Sequence, residues 1–133
     1  FKSYYQEYGL EYTIFRFFNT YGPNQSEDFV VPRFLKAALK NEPIYLYGDG
    51  LQTRSFCYVD DLVEGIYRLL FSDYSFPVNL GNPGEITIIE FADEILKLTN
   101  SDQQICFKPF PWKCVNWTDL MYAKTLGHVI ILI

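Results

Sequence analysis

Apolar residues fall into short segments that predict strands. The segment Tyr12–Phe18 is rich in β-branched and aromatic residues and predicts a buried strand. Four later segments have the same character and are also predicted as strands: Pro43–Tyr47, Gln52–Tyr58, Val78–Gly81 and Ile105–Lys108. A Gly-Asp-Gly turn separates the first two of these four, so we expect them to pair as a hairpin. The last is expected to be an edge strand, because prolines follow it.

Apolar residues at helical spacing predict helices between these strands. Pro32 suits the first turn of a helix that runs to Asn41. Thr87 and Glu90 have the spacing of a capping box, which predicts the start of a later helix. The resulting alternation of strands and helices predicts an α/β fold with mixed strand directions.

Charged residues and glycines mark the ends of other helices. Asp60 and Asp61 open a helix, where carboxylates are favoured, so we interpret this pair as helix-stabilising rather than as an acid–base pair. Gly9 is expected to end a helix that contains Tyr4–Tyr8. Thr118–Gly127 is expected to form a last short helix.

Composition narrows the class of protein. The chain has 133 residues, 49% of them apolar and 20% charged, which is typical of one globular domain and excludes intrinsic disorder. The net charge of −5 argues against nucleic acid as a partner. The longest apolar run, Val129–Ile133, is far too short to span a bilayer, so we expect no membrane partner.

Cysteine and histidine usage excludes metal chemistry. Cys57, Cys106 and Cys114 form no C-x-x-C pair, and His128 is the single histidine, so no metal site is expected. Three cysteines without a partner pattern indicate reduced, buried thiols. Because no apolar leader opens the sequence either, we expect a cytoplasmic protein.

Two polar side chains are candidates for ligand binding. Asn19 follows the predicted strand Tyr12–Phe18 at its C-terminal end, where open α/β sheets bind ligands; the alternative is that it caps its own turn. Arg54 lies in a predicted strand, and its guanidinium fits phosphate oxygens bidentately. Its alternative role is an ion pair with Asp60 or Asp61.

Tyr47 and Gly48 are candidates for holding a base, since they offer an aromatic edge and exposed backbone groups. Packing within the hairpin is the alternative. The sequence contains neither a G-x-G-x-x-G turn nor a Tyr-x-x-x-Lys pair, so it gives no dinucleotide phosphate loop.

Three ordered blocks carry a family resemblance: Arg16–Gln25, Tyr47–Leu62 and Val78–Pro83. They resemble the extended short-chain dehydrogenase/reductases, and within them the NAD-dependent nucleotide-sugar epimerase/dehydratase branch. Within this branch, the three blocks are most similar to those of UDP-glucuronate decarboxylases and dTDP-glucose 4,6-dehydratase-like proteins. The resemblance implies the C-terminal, substrate-binding portion of a Rossmann-type fold over residues 1–111, followed by a divergent tail at residues 112–133.

The resemblance also implies roles for individual residues. Asn19 would hydrogen-bond the sugar nucleotide near its diphosphate, and Thr20 would lie close to the nicotinamide of NAD. The remaining positions would line the nucleotide: Val31 and Pro32 through backbone groups, Tyr47 and Gly48 beside the base, and Gln52 and Arg54 at the ribose and diphosphate. No catalytic residue is assigned, because the family's glycine loop and Tyr-x-x-x-Lys pair would precede Phe1.

Two departures qualify the resemblance. Phe29 occupies a position where the decarboxylases have an arginine that reaches the cofactor, which favours the dehydratase and epimerase branches. Asn116–Asp119 replaces a segment whose arginine helps to bind diphosphate in the family.

Two functions remain open from the sequence. The resemblance implies the UDP- or dTDP-sugar-binding part of an NAD-dependent decarboxylase or dehydratase, with a 4-epimerase as alternative, inactive as an isolated chain. Such enzymes oxidise a sugar carbon by hydride transfer to NAD and later return the hydride. The second possibility is a non-catalytic nucleotide-binding or interaction module. A complementary N-terminal half or a homo-oligomer is the expected protein partner.

Overall fold

The structure is a computed structural model that describes residues 1–110 and the backbone of residues 129–131. Cys114 and the helix predicted at Thr118–Gly127 lie outside the described residues. The helices, in chain order, are α1 (Lys2–Tyr8), α2 (Val30–Leu39), α3 (Val59–Leu70) and α4 (Ile88–Thr99). The strands are β1 (Phe15–Phe17), β2 (Thr20–Tyr21), β3 (Ile44–Tyr47), β4 (Thr53–Arg54), β5 (Cys57–Tyr58), β6 (Val78–Gly81), β7 (Ile86–Thr87), β8 (Ile105–Lys108) and β9 (Val129–Ile131).

These elements form two compact units. Unit 1 comprises Phe1–Thr20, Ser55–Pro83 and Thr125–Ile133. Unit 2 comprises Tyr21–Arg54 and Gly84–Lys124. The predicted mixture of short strands and helices is confirmed, because parallel and antiparallel pairs both occur.

The sheet of unit 1 is parallel, with the strand order β1-β6-β9. Helix α3 packs against β5 and β6. The core between them consists of five buried residues: Cys57, Leu62, Leu69, Val78 and Leu80. The alternation of Val78 and Leu80 toward α3 is the pattern expected of a strand that packs one face on a helix.

Strand β1 is not buried, contrary to the prediction. It contains three residues, and the side chains of Phe15 and Phe17 are 38% and 58% exposed. One edge of β1 pairs with β6, whereas α3 packs over β6 and leaves these aromatic side chains open to solvent. Among the described residues β1 is also one of the two outer strands of its sheet.

One polar side chain lies inside the unit 1 sheet. Asn79 in β6 is 7% exposed, and its Oδ1 accepts no hydrogen bond in the described part of the chain. Its register partners are Arg16 in β1 and Val129 in β9. A buried acceptor without a partner costs about 1–3 kcal/mol, so this position lowers the stability of the sheet.

Unit 2 has two helices that pack on each other and on β3. Strand β3 shows alternate burial, with Ile44 and Leu46 inside and Tyr45 and Tyr47 exposed. It pairs in parallel with β8, which among residues 1–110 and 129–131 is an edge strand, as predicted. The remaining core residues of this unit are supplied by the two helices: Phe34, Ala38, Ile88, Ala92 and Ile95.

The predicted hairpin is wrong. Strand β3 pairs with β8, and β4 pairs antiparallel with β7 instead of with β3. The backbone N–H of Gly48 donates to the carbonyl of Lys108 at 2.9 Å, which continues the β3–β8 ladder into the turn. A four-residue parallel register that buries Ile44 and Leu46 under two helices outcompetes a local hairpin.

The predicted helix ends are largely confirmed. Gly9 ends α1 in the left-handed conformation, and its N–H donates to the carbonyl of Tyr5 at 2.9 Å. Asp60 and Asp61 lie in the first turn of α3. Helix α2 begins at Val30, two residues before Pro32. No helix within the described ranges has the length and apolar character needed to cross a bilayer.

The capping box at the start of α4 is complete. The N–H of Glu90 donates to Thr87 Oγ1 at 3.2 Å, and the N–H of Thr87 donates to Glu90 Oε2 at 3.0 Å. Hydrogen bonds from the Thr87 side chain and backbone lower the pKa of the Glu90 carboxyl. The stabilisation from this carboxylate is therefore present above its unfolded pKa and is lost as the pH falls through the lower folded value.

We expect Thr87→Ala to lower the free energy of unfolding by about 1 kcal/mol at pH 7, since the N-cap acceptor is lost. The difference from wild type should shrink as the pH falls through the lowered pKa of the Glu90 carboxyl, because the protonated group accepts the hydrogen bonds from Thr87 less strongly. Urea denaturation followed by circular dichroism measures both values. Asp93→Asn, an exposed change in the same helix, is the control. Equal stability of wild type and Thr87→Ala at pH 7 would contradict the role of the cap.

Candidate functional site

Six of the predicted binding residues lie in unit 2, and Asn19 and Thr20 lie in unit 1. In unit 2, Val31 and Pro32 occupy the first turn of α2, Tyr47 ends β3, and Arg54 ends β4. Tyr47, Gly48, Gln52 and Arg54 lie on one short stretch of the chain, which runs from the end of β3 to the end of β4. The shared contact with a diphosphate that the resemblance implies for Asn19 and Arg54 stays a prediction.

The loop between β3 and β4 is fixed by the start of α4. The N–H of Ile88 donates to the carbonyl of Gln52, and the N–H of Ile89 donates to the carbonyl of Gly50, both at 3.0 Å. These amides are among those that a helix leaves without internal partners. The loop thus takes its shape from two helix amides, with the Thr87 side chain capping the next one.

The same loop is also braced from within. The side-chain amide of Gln52 donates to the carbonyl of Tyr47 at 3.3 Å. The N–H of Leu51 donates to Asp49 Oδ1 at 3.0 Å, which forms an Asx turn. Gly50 has a φ of 75°, and a Cβ there would lie 3.0 Å from Leu46 and 3.2 Å from Ile89. A side chain at position 50 would therefore separate the loop from α4.

Arg54 is exposed at the end of β4. Its Nη1 donates to the carbonyl of Thr53 at 2.7 Å. The ion pairs among residues 1–110 join Lys36 with Glu27, Arg68 with Glu64, and Lys97 with Glu94, so Arg54 takes part in none of them. The ion-pair alternative for Arg54 thus has no support among these residues, and Arg54 is exposed.

Asn19 has a φ of 38°, in the left-handed region that asparagine tolerates better than most residues. Its carbonyl accepts a hydrogen bond from the N–H of Cys57 at 3.3 Å. The side chain is exposed. The turn thus fixes the backbone of Asn19 through its carbonyl and leaves the carboxamide at the surface.

Two cavities lie away from these residues. A groove of about 590 Å³ in unit 1 is lined by aromatic, aliphatic and acidic side chains, among them Tyr12, Leu69, Glu11 and Asp73. A shallow depression of about 470 Å³ in unit 2 lies at the end of α4, between Asp93 and Asp102. The groove carries carboxylates that would repel a diphosphate, and the depression carries Asp93 and Asp102 beside Lys97, which is already paired with Glu94. Neither lining includes a predicted site residue.

Phe110 was missed by the sequence analysis. Its ring lies against Gly48, where a Cβ would come within 2.5 Å of Phe110 Cε2. The two residues are 62 positions apart, and only the β3–β8 pairing brings them together. No local sequence signal could have found this contact, although Phe110 follows a correctly predicted strand.

The first 81 residues match the NAD dependent epimerase/dehydratase family. The chain belongs to this family. It is 45% identical over 105 residues to UDP-glucuronic acid decarboxylase 6 of Arabidopsis thaliana, covering 77% of this chain and 31% of that protein. The chain thus spans about a third of the length of this curated relative. The identity to a decarboxylase shows that Phe29 does not separate the chain from that branch.

Solved structures of this family share the fold. UDP-N-acetylglucosamine 4-epimerase from Methanobrevibacter ruminantium, in complex with UDP-N-acetylmuramic acid, superposes with a TM-score of 0.76 at 33% identity, over 81% of this chain and 36% of that one. dTDP-glucose 4,6-dehydratase from Streptomyces venezuelae, solved with NAD bound, gives a TM-score of 0.71 at 28% identity, over 81% and 34% of the two chains. The Rossmann-type fold class predicted from the sequence is confirmed.

The cysteines differ in environment. Cys57 is buried in the unit 1 core and Cys106 is half-buried in β8, and both are free thiols. Burial, and secondarily the charge of Asp61, raise the pKa of the Cys57 thiol, with a partly offsetting hydrogen bond from the Asn82 backbone. Because the folded pKa is raised, the buried thiol stabilises the fold below its unfolded pKa, and this contribution is lost as the pH rises above it.

We expect N-ethylmaleimide to modify Cys106 at least roughly tenfold faster than Cys57 in the folded protein at pH 8, because Cys57 is buried and stays protonated. Peptide mass mapping separates the three cysteines. The two rates should converge in 8 M urea, which is the control for intrinsic reactivity. Rapid modification of Cys57 in the folded protein would contradict its burial.

Proposed function

We propose that this chain binds the nucleoside diphosphate of a UDP- or dTDP-linked sugar, as the substrate-binding portion of an NAD-dependent sugar-nucleotide decarboxylase or dehydratase. The observation that carries the proposal is the exposed guanidinium of Arg54 on β4, beside a loop that α4 holds rigid. Its bidentate fork suits two phosphate oxygens, and β4 fixes its backbone.

The electrostatics of unit 2 favour Arg54 over the nearby helix end. The first amides of α4 already donate to the loop carbonyls and to Thr87, so they do not offer an anion site. The negative charge of a diphosphate bound at this loop must therefore be balanced by a side chain. Arg54 is the cation that the segment provides, and it is exposed.

Family membership supports the rest of the assignment. Asn19 is proposed to bind near the diphosphate, Thr20 near the nicotinamide, and Val31 and Pro32 along the nucleotide. NAD would supply hydride transfer when bound. This chain has no Tyr-x-x-x-Lys pair, so we assign it binding rather than proton transfer, and propose that a complementary N-terminal half supplies the pair. The free thiols Cys57 and Cys106 support a reducing, cytoplasmic location.

A 4-epimerase is the second candidate. One observation favours it: the structural similarity to the Methanobrevibacter ruminantium epimerase. Both candidates share the nucleotide-binding role of this chain, so the binding experiments below apply to either. A binding module without turnover would give the same binding results and no product with any partner half.

We expect Arg54→Ala to weaken UDP binding about 10- to 100-fold in calorimetric titration, the loss of a charge-assisted bidentate contact. Arg68→Ala is the matched control, because Arg68 is also exposed but is paired with Glu64 in α3. Equal UDP affinity of wild type and Arg54→Ala would show that Arg54 does not bind the ligand and has a structural role only. Absence of UDP binding by the wild-type chain would overturn the proposed function.

We expect Asn19→Gly to weaken UDP-sugar binding about fivefold, which corresponds to one hydrogen bond. Glycine is chosen because it accepts the φ of 38° that Asn19 adopts, whereas alanine would add backbone strain. Thermal unfolding of the variant is measured alongside the titration. A fall in stability with unchanged affinity would show that the side chain only caps its own turn.

A further inference from the structure

Gly48 and Phe110 form a contact in unit 2 that depends on the absence of a side chain at position 48. Gly48 has a φ of 75°, and a Cβ built there would lie 2.5 Å from Cε2 and 2.9 Å from Cζ of the Phe110 ring. The ring edge thus occupies the space that any other residue at 48 would fill. Phe110 nevertheless remains 50% exposed.

The backbone holds Phe110 in this place. The last β3–β8 hydrogen bond runs from the N–H of Gly48 to the carbonyl of Lys108 at 2.9 Å. Pro109 then ends the strand, because it has no N–H to continue the ladder. Phe110 follows two residues after this bond, which brings its ring next to Gly48.

Tyr47 lies on the other side of Gly48 along the chain. Its side chain is 38% exposed on the solvent face of β3, and its carbonyl accepts the hydrogen bond from Gln52. The segment that carries Gln52 and Arg54 therefore begins next to two partly exposed aromatic rings. A flat apolar surface beside a phosphate-binding side chain has the chemistry of a nucleotide site: a plane for the base and a cation for the diphosphate.

We propose that Phe110 is the base-stacking residue of the nucleotide site, an inference that rests on the proposed function of this chain. Gly48 then serves to seat the Phe110 ring rather than to contact the base itself. Stacking of one base on an aromatic side chain contributes about 5- to 150-fold to affinity. Exposure alone does not distinguish Phe110 from Phe107, because Phe107 is 54% exposed. Phe110 is chosen because its ring contacts Gly48, which begins the segment that carries Arg54.

The test compares Phe110→Leu with Phe107→Leu in the full chain. Both changes remove an exposed ring and keep an apolar side chain, so the second is a matched control. UDP and inorganic pyrophosphate are titrated into each protein. We expect Phe110→Leu to weaken UDP binding about tenfold and to leave pyrophosphate binding unchanged, and Phe107→Leu to change neither.

Other outcomes separate this inference from the proposed function. If wild type binds UDP and Phe110→Leu binds it equally well, the stacking role is wrong and the proposed function stands. The same conclusion follows if both phenylalanine variants lose affinity equally, or if UDP and pyrophosphate weaken together in Phe110→Leu. If wild type does not bind UDP, the proposed function and this inference both fail.

Discussion

The start of helix α4 is the point on which the candidate site depends. A helix leaves its first backbone amides without internal partners, and each buried amide needs an acceptor. In this chain the carbonyls of Gly50 and Gln52 and the side chain of Thr87 meet that need. Helix formation in α4 and the shape of the loop before β4 are therefore linked, and a change that frays the helix also releases the residues proposed to bind nucleotide.

The sequence predicted the features that are set by local chemistry. Thr87 and Glu90 form their capping box three residues apart, and Gly9 ends α1 through a bond to Tyr5 four residues earlier. Both depend on residues that are neighbours along the chain. The family was identified for a related reason, because its motifs are short and contiguous.

Long-range pairing could not be read from the sequence in the same way. The hairpin was expected because a Gly-Asp-Gly turn follows β3, yet β3 joins β8, about 60 residues away. Local turn chemistry was outweighed by the burial of Ile44 and Leu46 beneath two helices. The contact between Gly48 and Phe110 follows from that pairing, so it was equally invisible. The prediction for β1 was wrong for another reason: its apolar composition indicated a buried strand, but α3 does not cover it.

Exposed aromatic residues on β1 have a consequence for the behaviour of the chain in solution. Within the described part of the chain, β1 is an outer strand whose second edge pairs with no other strand, and Phe15 and Phe17 place apolar rings at the same surface. Natural proteins usually protect such edges with charge, proline or a covering element, because an open edge can recruit a strand from another molecule. Colloidal stability of the purified chain therefore depends on what shields this edge, and Arg16 is the one charged residue within the strand.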